Sequence, residues 1–389
     1  MVDCFFDPEH LILRRQIQAW VEKNLLPESV REAEVEEATR GLASQLGREG
    51  FIAYVAPKKF GGAREKVQAR DLCLLREELA FGSALADTTF ALQALGSYPI
   101  TLVGSDGQKS RYLPPIVRGE VLAAFALTEP QAGSDIASLE TRAVKRGKQY
   151  CLTGIKCFIS NAGLAGTYVV FASTDPEKKA KGVSAFIVEA NRPGLVLKEK
   201  TRLISPHPIG VLAFEECIVP EANLLGQEGE GLKIAFSTLE MLRSTVGAAA
   251  VGLARRALDE ALRYSRKRRQ FGKELAEFQG IQFKLADMAT ELEAARLLVY
   301  QAAWLHDHGR GGLKQKSSMA KLYATEAAQR IVDQALQIHG GIGVVEGTPV
   351  ERLYRDVRSL RIYEGTSEIQ KLVIARELLK ETTGGKREA

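Results

Sequence analysis

The chain has 389 residues, of which 45% are apolar and 26% are charged. This balance is typical of globular proteins and excludes collagen-like, coiled-coil or wholly disordered chains. The net charge is only +5, so we expect no nucleic-acid partner. The five cysteines are scattered without a C-x-x-C pair, which indicates reduced thiols rather than a disulfide framework.

Neither a membrane span nor an export signal is expected. The longest weakly polar stretch, residues 245–254, is about half of the roughly 20 residues that a membrane-spanning helix needs. The first ten residues, MVDCFFDPEH, are acidic and lack the basic and apolar regions of a secretory signal. We therefore expect a cytoplasmic protein without membrane insertion.

The predicted elements change character twice along the chain. As far as residue 119, apolar residues such as Ile17 and Trp20 recur at helical spacing. Short apolar runs of strand length then alternate with glycine and proline as far as residue 230. These runs are VLAAFAL, TYVVFA, VSAFIVE and VLAFEECIV. Helical spacing returns after residue 231, for example at Ile281 and Leu285, and is typical of a bundle core.

This order predicts an α+β protein with three domains. They are an amino-terminal all-helical domain (residues 1–121), a small β domain (residues 122–232) and a carboxyl-terminal helical bundle (residues 233–389).

Most common functional motifs are absent from the sequence. It has no Walker pattern and no H-E-x-x-H, and its five histidines do not form a metal-ligand cluster, so no metal site is predicted. The segment HGGIGVVEG follows a helical pattern and carries Glu346 in the last glycine slot, which argues against a Rossmann fingerprint. Taken alone, the basic run at residues 266–269 is typical of a solvated helix face.

Longer segments resemble the acyl-CoA dehydrogenase family of flavoenzymes. The strongest matches are AFALTEPQAGSDIASLETRA, GIKCFISNAG and PVERLYRDVRSLRIYEGTSEIQKLVIAREL, with RRQFGKELAEFQGIQFKLADM and QIHGGIG between them. The similarity keeps the family's order from the first helix to about Leu379. It implies a helical amino-terminal domain, a middle β-barrel or β-sandwich domain and a carboxyl-terminal four-helix bundle.

The resemblance implies that Glu364, in IYEGTSEIQ, is the catalytic base. Dehydrogenation across Cα–Cβ of an acyl-CoA thioester needs a base for the α-proton and an acceptor for the β-hydride, which in the family is flavin N5. Burial beside Ile362 and Tyr363 would raise the pKa of this carboxyl. Gly365 is implied to let the chain turn, so that the Glu364 N–H holds the thioester carbonyl.

Some family members carry the base instead on the helix after the β domain. That position matches Leu242, which cannot act as a base, and it precedes the family's arginine, here Arg243. Glu240 lies about 200° around the helix from Leu242 and should not replace it. The resemblance places Glu240 and Arg243 against the CoA portion of the substrate.

The implied cofactor is FAD. Along its ring and pyrophosphate, the matching residues are Phe125, Leu127, Thr128, Ser134, Phe158 and Ser160. Ser134 also matches a residue near the substrate's phosphopantetheine, and Ser160 matches a hydroxyl that bonds near flavin N5. Residues that reach the cofactor from a neighbouring subunit are matched by Arg268, Phe271, Gln337 and Gly341. Thr366 and Glu368 match contacts near the adenine end.

A cofactor shared between subunits implies a homotetramer, built as a dimer of dimers. The expected electron acceptor is an electron-transferring flavoprotein, and an acyl-CoA oxidase that uses oxygen stays open. A flavin-bearing nucleic-acid-binding stress protein is a further alternative, disfavoured by the modest charge and the intact Glu364–Gly365 pair. Nitroalkane oxidases on this fold carry aspartate in place of the glutamate. The acyl group is undetermined among short, branched, cyclic, aromatic and dicarboxylic chains.

One loop departs from the family pattern. The segment KTRLISPHPIG carries Pro206, His207 and Pro208 where relatives commonly have a small or arginine-containing sequence. In the family this loop lies near CoA and the flavin edge. The sequence allows either a rigid loop with an incidental His207 or a substrate contact by His207.

Overall fold

The computed structural model describes residues 2–25 and 34–384. Its amino-terminal region is helical, as predicted. The helices are α1 (Pro8–Asn24), α2 (Val35–Arg48), α3 (Ala69–Gly82), α4 (Ala84–Val103) and α5 (Asp106–Val117). Helix α5 begins at a capping box, in which the Gln108 N–H donates to Ser105 Oγ at 3.2 Å and the Ser105 N–H donates to Gln108 Oε1 at 2.8 Å.

A sheet of eight strands follows the first five helices. Its strands are β1 (Ala123–Ala126), β2 (Arg142–Arg146), β3 (Gln149–Ser160), β4 (Thr167–Ser173), β5 (Val183–Glu189), β6 (Leu195–Lys200), β7 (Ile209–Pro220) and β8 (Leu224–Leu225). Their order is β6-β7-β3-β2-β4-β5-β8, and β1 pairs with β4 in parallel. The four runs predicted from the sequence correspond to β1, β4, β5 and β7.

Strands β2, β3, β6 and the two-residue β8 are missed by the sequence pattern. Strand β3 pairs with β7 through two register shifts, between Leu152 and Gly154 and between Lys156 and Ile159. Each shift interrupts the two-residue alternation on which strand prediction depends. Strands β2 and β6 are short and mostly exposed, so they carry little apolar signal.

The carboxyl-terminal region is helical again, as predicted. It comprises α6 (Gly231–Lys267), a hairpin of β9 (Arg269–Gln270) and β10 (Lys273–Glu274), α7 (Gln279–Asp307), α8 (Leu313–His339), α9 (Pro349–Arg358) and α10 (Ser367–Gly384). Helix α8 packs against α7, α9 and α10. None of the described helices is both long enough and apolar enough to cross a bilayer.

Chain contacts group the described residues into two compact units. The first draws on the ranges Met1–Ser29, Gln68–Asp87 and Glu240–Ala389, and it is helical apart from the β9–β10 hairpin. The second draws on Val30–Val67 and Thr88–Leu239, and it contains the sheet. Both faces of the sheet are covered by buried apolar residues.

Helices α3 and α6 approach closely at Gly252. A Cβ added to this glycine would lie 2.2 Å from the Glu77 carbonyl oxygen, which belongs to the backbone of α3. We therefore expect Gly252→Ala to lower the free energy of unfolding by about 1 to 3 kcal/mol through overpacking. Gly41→Ala is the matched control, because Gly41 lies within α2 with no atom near the added methyl group.

The control should leave stability unchanged or raise it by about 0.4 to 1 kcal/mol. Urea or thermal unfolding of the cofactor-loaded protein measures both variants. Equal midpoints for the two variants would contradict the close packing of α3 on α6.

Candidate active site

Glu364 lies on a strained turn before α10. Its φ is +52° and that of Gly365 is +90°, and a non-glycine residue in this region costs about 1 to 3 kcal/mol. A Cβ on Gly365 would lie 2.6 Å from Gln370 Nε2. The left-handed φ at position 365, more than this contact with a flexible side chain, is what favours glycine there.

The turn is fastened to α8 at two points. Lys321 Nζ donates to the Gly365 carbonyl oxygen at 2.7 Å. Glu326 Oε1 accepts from Ser367 Oγ at 2.6 Å, and Glu326 Oε2 pairs with Arg361 Nη2 at 2.8 Å. These contacts bracket Glu364 on both sides along the chain, so its backbone position is fixed by a rigid helix.

The Glu364 carboxylate has an oxygen atom that accepts no hydrogen bond. Its Oε2 atom is buried without a hydrogen-bond partner. Burial raises the pKa of this carboxyl above its ordinary value, and the cations of Arg76, Lys321 and Arg243 offset part of the rise. A buried oxygen with a free lone pair and a raised pKa suits a group that accepts a proton from a bound ligand.

Arg76 is the strongest of the opposing cations, yet its hydrogen bonds go elsewhere. Its Nε and Nη2 atoms donate to the two Asp87 carboxylate oxygens at 2.7 and 2.9 Å, and Nη1 donates to Thr245 Oγ1 at 3.0 Å. All three residues are buried. Because Asp87 and Thr245 take these hydrogen bonds, Arg76 lowers the Glu364 pKa through its charge and not through a hydrogen bond to that carboxylate.

Lys321 holds the turn that carries Glu364, and the sequence analysis misses it. Its side chain is fully buried, and burial lowers the pKa of its ammonium group to about 8. In the sequence it occupies a position within a helical apolar pattern, next to Ala320 and Leu322. A charged residue inside such a stripe was the available signal, because lysine is almost never fully buried unless it has a partner.

Three predicted residues of α6 lie in the same helical unit as Glu364. Leu242 is buried and Arg243 is half-buried close to Glu364. Arg243 Nη1 makes one long contact of 3.4 Å with Ser317 Oγ, and Arg243 Nε is buried without a partner. An orphaned guanidinium N–H is available to an acceptor on a ligand. Glu240 is half-buried one turn away.

The second group of predicted residues lies at one end of β3, in the sheet unit. At the register shift after Lys156, Phe158 adopts a φ of +53° and its ring is 60% exposed. β-bulges re-aim side chains beside binding sites. The strained backbone at Phe158 therefore keeps an aromatic face exposed to solvent. Such a face is suited to stacking against a planar ligand.

The loop after β1 is joined to this part of β3. The Cys157 N–H donates to the Thr128 carbonyl oxygen at 3.0 Å. Phe125 packs against Phe171 with ring centroids 4.8 Å apart, and Leu127 is buried. Thr128 and Ser160 are half-buried, whereas Ser134 is exposed. The structure thus brings Thr128 beside the Phe158 bulge, and it leaves the hydroxyl of Ser134 open to solvent.

A buried ion pair between Lys156 and Glu129 holds the loop that follows β1. Lys156 Nζ donates to Glu129 Oε1 at 2.7 Å and to the Leu127 carbonyl oxygen at 3.0 Å. Glu129 also accepts from the backbone N–H groups of Glu140 and Thr141. Burial lowers the pKa of Lys156 to about 8, while Lys156 helps hold the pKa of Glu129 below its ordinary value. The sequence analysis also misses this pair.

The remaining predicted residues lie on the surface of the helical unit. Exposed residues in this set are Arg268, Phe271, Gln337, Gly341 and Glu368, and Thr366 is half-buried. Phe271 is 93% exposed at the tip of the β9–β10 hairpin. The Tyr264 ring stacks on His339 with centroids 4.3 Å apart, so α6 and the end of α8 meet where Arg268 and Gln337 lie.

The residues near the end of β3 are suited to binding a flavin. They combine an exposed aromatic ring at Phe158, hydroxyl groups at Thr128 and Ser160, and an exposed backbone at Gly133 with no atom near an added Cβ. A planar ring with polar edges and an attached pyrophosphate calls for these features. Among the residues that the structure describes, no group of three histidine, cysteine or acidic side chains is placed to hold a metal ion.

Comparisons with known proteins agree along nearly the whole chain. Models of the amino-terminal, middle and carboxyl-terminal domains of acyl-CoA dehydrogenases match residues 7–120, 124–217 and 229–379. The acryloyl-CoA reductase (NADH) of Anaerotignum propionicum is 46% identical, over 85% of this chain and 84% of that protein. The caffeyl-CoA reductase–Etf complex subunit of Acetobacterium woodii is 39% identical, over 97% of this chain and 100% of that protein.

A solved structure shows the same fold with the cofactor. The acyl-CoA dehydrogenase complexed with FAD from Bacillus anthracis superposes with a TM-score of 0.89 and 32% identity, covering 98% of this chain and 68% of that one. The chain therefore belongs to the acyl-CoA dehydrogenase family of FAD-dependent oxidoreductases.

Proposed function

We propose that the protein catalyses α,β-dehydrogenation of an acyl-CoA thioester to the 2,3-enoyl-CoA, with Glu364 as the base that removes the α-proton. The observation that carries this proposal is the buried, unpartnered Glu364 Oε2 on a strained turn, with the carboxyl pKa raised by burial. A carboxylate held in this way lowers the stability of the fold. Its presence is explained if it removes a proton from a weak carbon acid.

The turn also supplies a site for the thioester carbonyl. The backbone N–H of Glu364 is proposed to hold this oxygen as negative charge develops on it, which is the role of an oxyanion hole. Gly365 makes the required geometry possible, and Lys321 fixes it through the Gly365 carbonyl. We assign the CoA portion to Arg243, whose Nε lacks a partner, together with Glu240 and Ser134.

FAD is proposed to lie against the β3 bulge. Residues assigned to it are Phe125, Leu127, Thr128, Ser134, Phe158 and Ser160, with Thr366 and Glu368 toward the adenine end. When bound, FAD supplies the acceptor for the β-hydride as the Cα=Cβ bond forms. The exposed residues Arg268, Phe271, Gln337 and Gly341 are assigned to the cofactor of a neighbouring subunit, within a homotetramer built as a dimer of dimers.

An electron-transferring flavoprotein is the proposed redox partner. One relative is named as a subunit of a reductase–Etf complex, which supports this acceptor over oxygen. Two relatives support a second candidate function, reduction of an enoyl-CoA, because they are named as reductases of acryloyl-CoA and caffeyl-CoA, and both of these compounds are enoyl-CoA thioesters. In that direction protonated Glu364 would return the proton to the α-carbon, so the same residue serves both directions.

Anaerobic titration of the FAD-loaded protein tests the reaction class and its direction together. Acyl-CoA thioesters of short, branched, aromatic and dicarboxylic type are added to the oxidised protein, and the flavin absorbance is followed. Bleaching by one thioester supports dehydrogenation, and reoxidation of dithionite-reduced protein by the enoyl-CoA alone supports reduction. Failure of every thioester in both directions would overturn the proposal.

Replacement of the base gives a direct prediction. Glu364→Gln should lower the rate of flavin bleaching by at least about 10²-fold, because a positioned general base contributes about 10² to 10⁴. FAD content and the unfolding midpoint in buffer near neutral pH should not fall. The control is Glu377→Gln on α10, where the native side chain pairs with Lys380 at 2.8 Å.

The control should bleach at the rate of the unmodified protein. If Glu364→Gln retained that rate as well, Glu364 would not be the base.

The raised pKa of Glu364 also has a consequence for stability. A carboxyl whose pKa is higher in the folded than in the unfolded state binds its proton more tightly when folded, so stability falls as pH rises from the unfolded pKa toward the folded one. Glu364→Gln removes this cost. Its unfolding midpoint, relative to that of the unmodified protein, should therefore be higher at about pH 7.5 than at about pH 4.5.

Glu377→Gln is the control here too, with the opposite sign. Lys380 lowers the pKa of the Glu377 carboxyl, so the native pair stabilises the protein fully at the higher pH and less at the lower one, and the substitution should cost more stability at the higher pH. Thermal unfolding of both variants at the two pH values measures these differences. A pH-independent midpoint difference for Glu364→Gln would show that its pKa is not raised.

A further inference from the structure

His207, in the loop that departs from the family pattern, contacts one of the proposed flavin ligands. Its Nε2 atom lies 3.0 Å from Ser160 Oγ. Ser160 ends β3, and His207 stands two residues before β7 begins. The sequence analysis leaves His207 open between an incidental residue and a substrate contact, whereas the structure shows it bonded to a side chain of the cofactor site.

The backbone holds the imidazole in place on both sides of this contact. Ser160 is the register partner of Ile209 in the pairing of β3 with β7, and the Asn161 N–H donates to the Pro208 carbonyl oxygen at 2.8 Å. The prolines before and after His207 restrict the loop further, because each fixes its own φ. The contact with Ser160 is thus built into the sheet rather than made by a free side chain.

The proton positions follow from the partner of the other ring nitrogen. His207 Nδ1 faces the Ser205 carbonyl oxygen at 3.4 Å, and a carbonyl oxygen can only accept, so Nδ1 carries the proton of the neutral ring. Burial lowers the pKa of His207, which favours this neutral form. Nε2 is then an acceptor, and the Ser160 hydroxyl donates its hydrogen to it.

We propose that His207 is a positioning residue that fixes Ser160 as a hydrogen-bond acceptor toward the flavin. With its hydrogen directed to His207, the Ser160 oxygen has only lone pairs left for the ring edge. Oxidised flavin presents a lone pair at N5, whereas reduced flavin presents an N–H there, so an acceptor favours the reduced form. This inference rests on the proposed function, which assigns Ser160 to FAD, and on the resemblance, in which Ser160 matches a hydroxyl that bonds near flavin N5.

The effect is measured as a shift in the equilibrium for flavin reduction. In His207→Ala the Ser160 hydroxyl is free to rotate and to donate to oxidised N5. We expect the equilibrium constant for reduction to fall about threefold to tenfold, a midpoint potential lower by about 15 to 30 mV for a two-electron couple. His207→Gln should restore the native potential, because the amide oxygen replaces Nε2 as the acceptor.

A double-mutant cycle separates positioning from a general structural role. Potentials are measured by dye equilibration in His207→Ala, Ser160→Ala and the double variant, each with FAD bound. If His207 acts through Ser160, its replacement should shift the potential in the native background and not in the Ser160→Ala background. Ile204→Ala is the control within the same loop, since Ile204 is an exposed and uncharged residue.

Two outcomes would overturn the inference. One is an unchanged potential in His207→Ala, and the other is an equal shift with and without Ser160. Failure of the proposed function is recognised separately, because the unmodified protein would then not bind FAD or would not be bleached by any thioester. A loss of fold in His207→Ala would appear in its unfolding midpoint. His207→Leu, which also removes the acceptor but fills more of the space, then replaces His207→Ala in the cycle, with the same expected fall in potential.

Discussion

The bond between the Lys321 ammonium group and the Gly365 carbonyl oxygen determines where Glu364 lies. An ammonium group is expensive to remove from water, and here it is fully buried on the middle of a long helix, with its bond to a carbonyl oxygen at 2.7 Å. The same cation lies close enough to Glu364 to oppose the rise in its carboxyl pKa. One buried group therefore both fixes the turn and limits how strongly the carboxylate is destabilised.

The two groups of proposed ligands share a physical design. Glu364 and Phe158, both assigned to the proposed site, are non-glycine residues with positive φ. Near each of them a buried lysine donates to a backbone carbonyl oxygen, Lys321 to that of Gly365 and Lys156 to that of Leu127. Strain persists only where the surroundings over-determine the backbone. Lysine suits this purpose, because its long stem packs as an apolar group while its tip holds a carbonyl oxygen.

The fold class could be predicted from the sequence alone. The segments that contain the proposed site residues could also be recognised there. Glu364 and Gly365 were identified through the family resemblance of the short string IYEGTSEIQ, and a positive φ at Gly365 agrees with the turn expected there. The φ of Phe158 could not be predicted, because a bulge depends on the register between β3 and β7, which are some 50 residues apart in the chain. Lys156 and Lys321 were missed for a related reason: burial of a lysine depends on partners that only the folded chain provides. The contact between His207 and Ser160 likewise arises from strand pairing.

The proposed position of FAD against the exposed ring of Phe158 links the stability of the fold to the cofactor supply. A bulge that holds an aromatic face in solvent is unfavourable until a planar ligand covers it. A ligand that binds only the folded state adds about 1.4 kcal/mol of stability for each tenfold excess over its dissociation constant. A cell short of flavin would therefore lose enzyme molecules to unfolding and proteolysis, and not only leave them inactive.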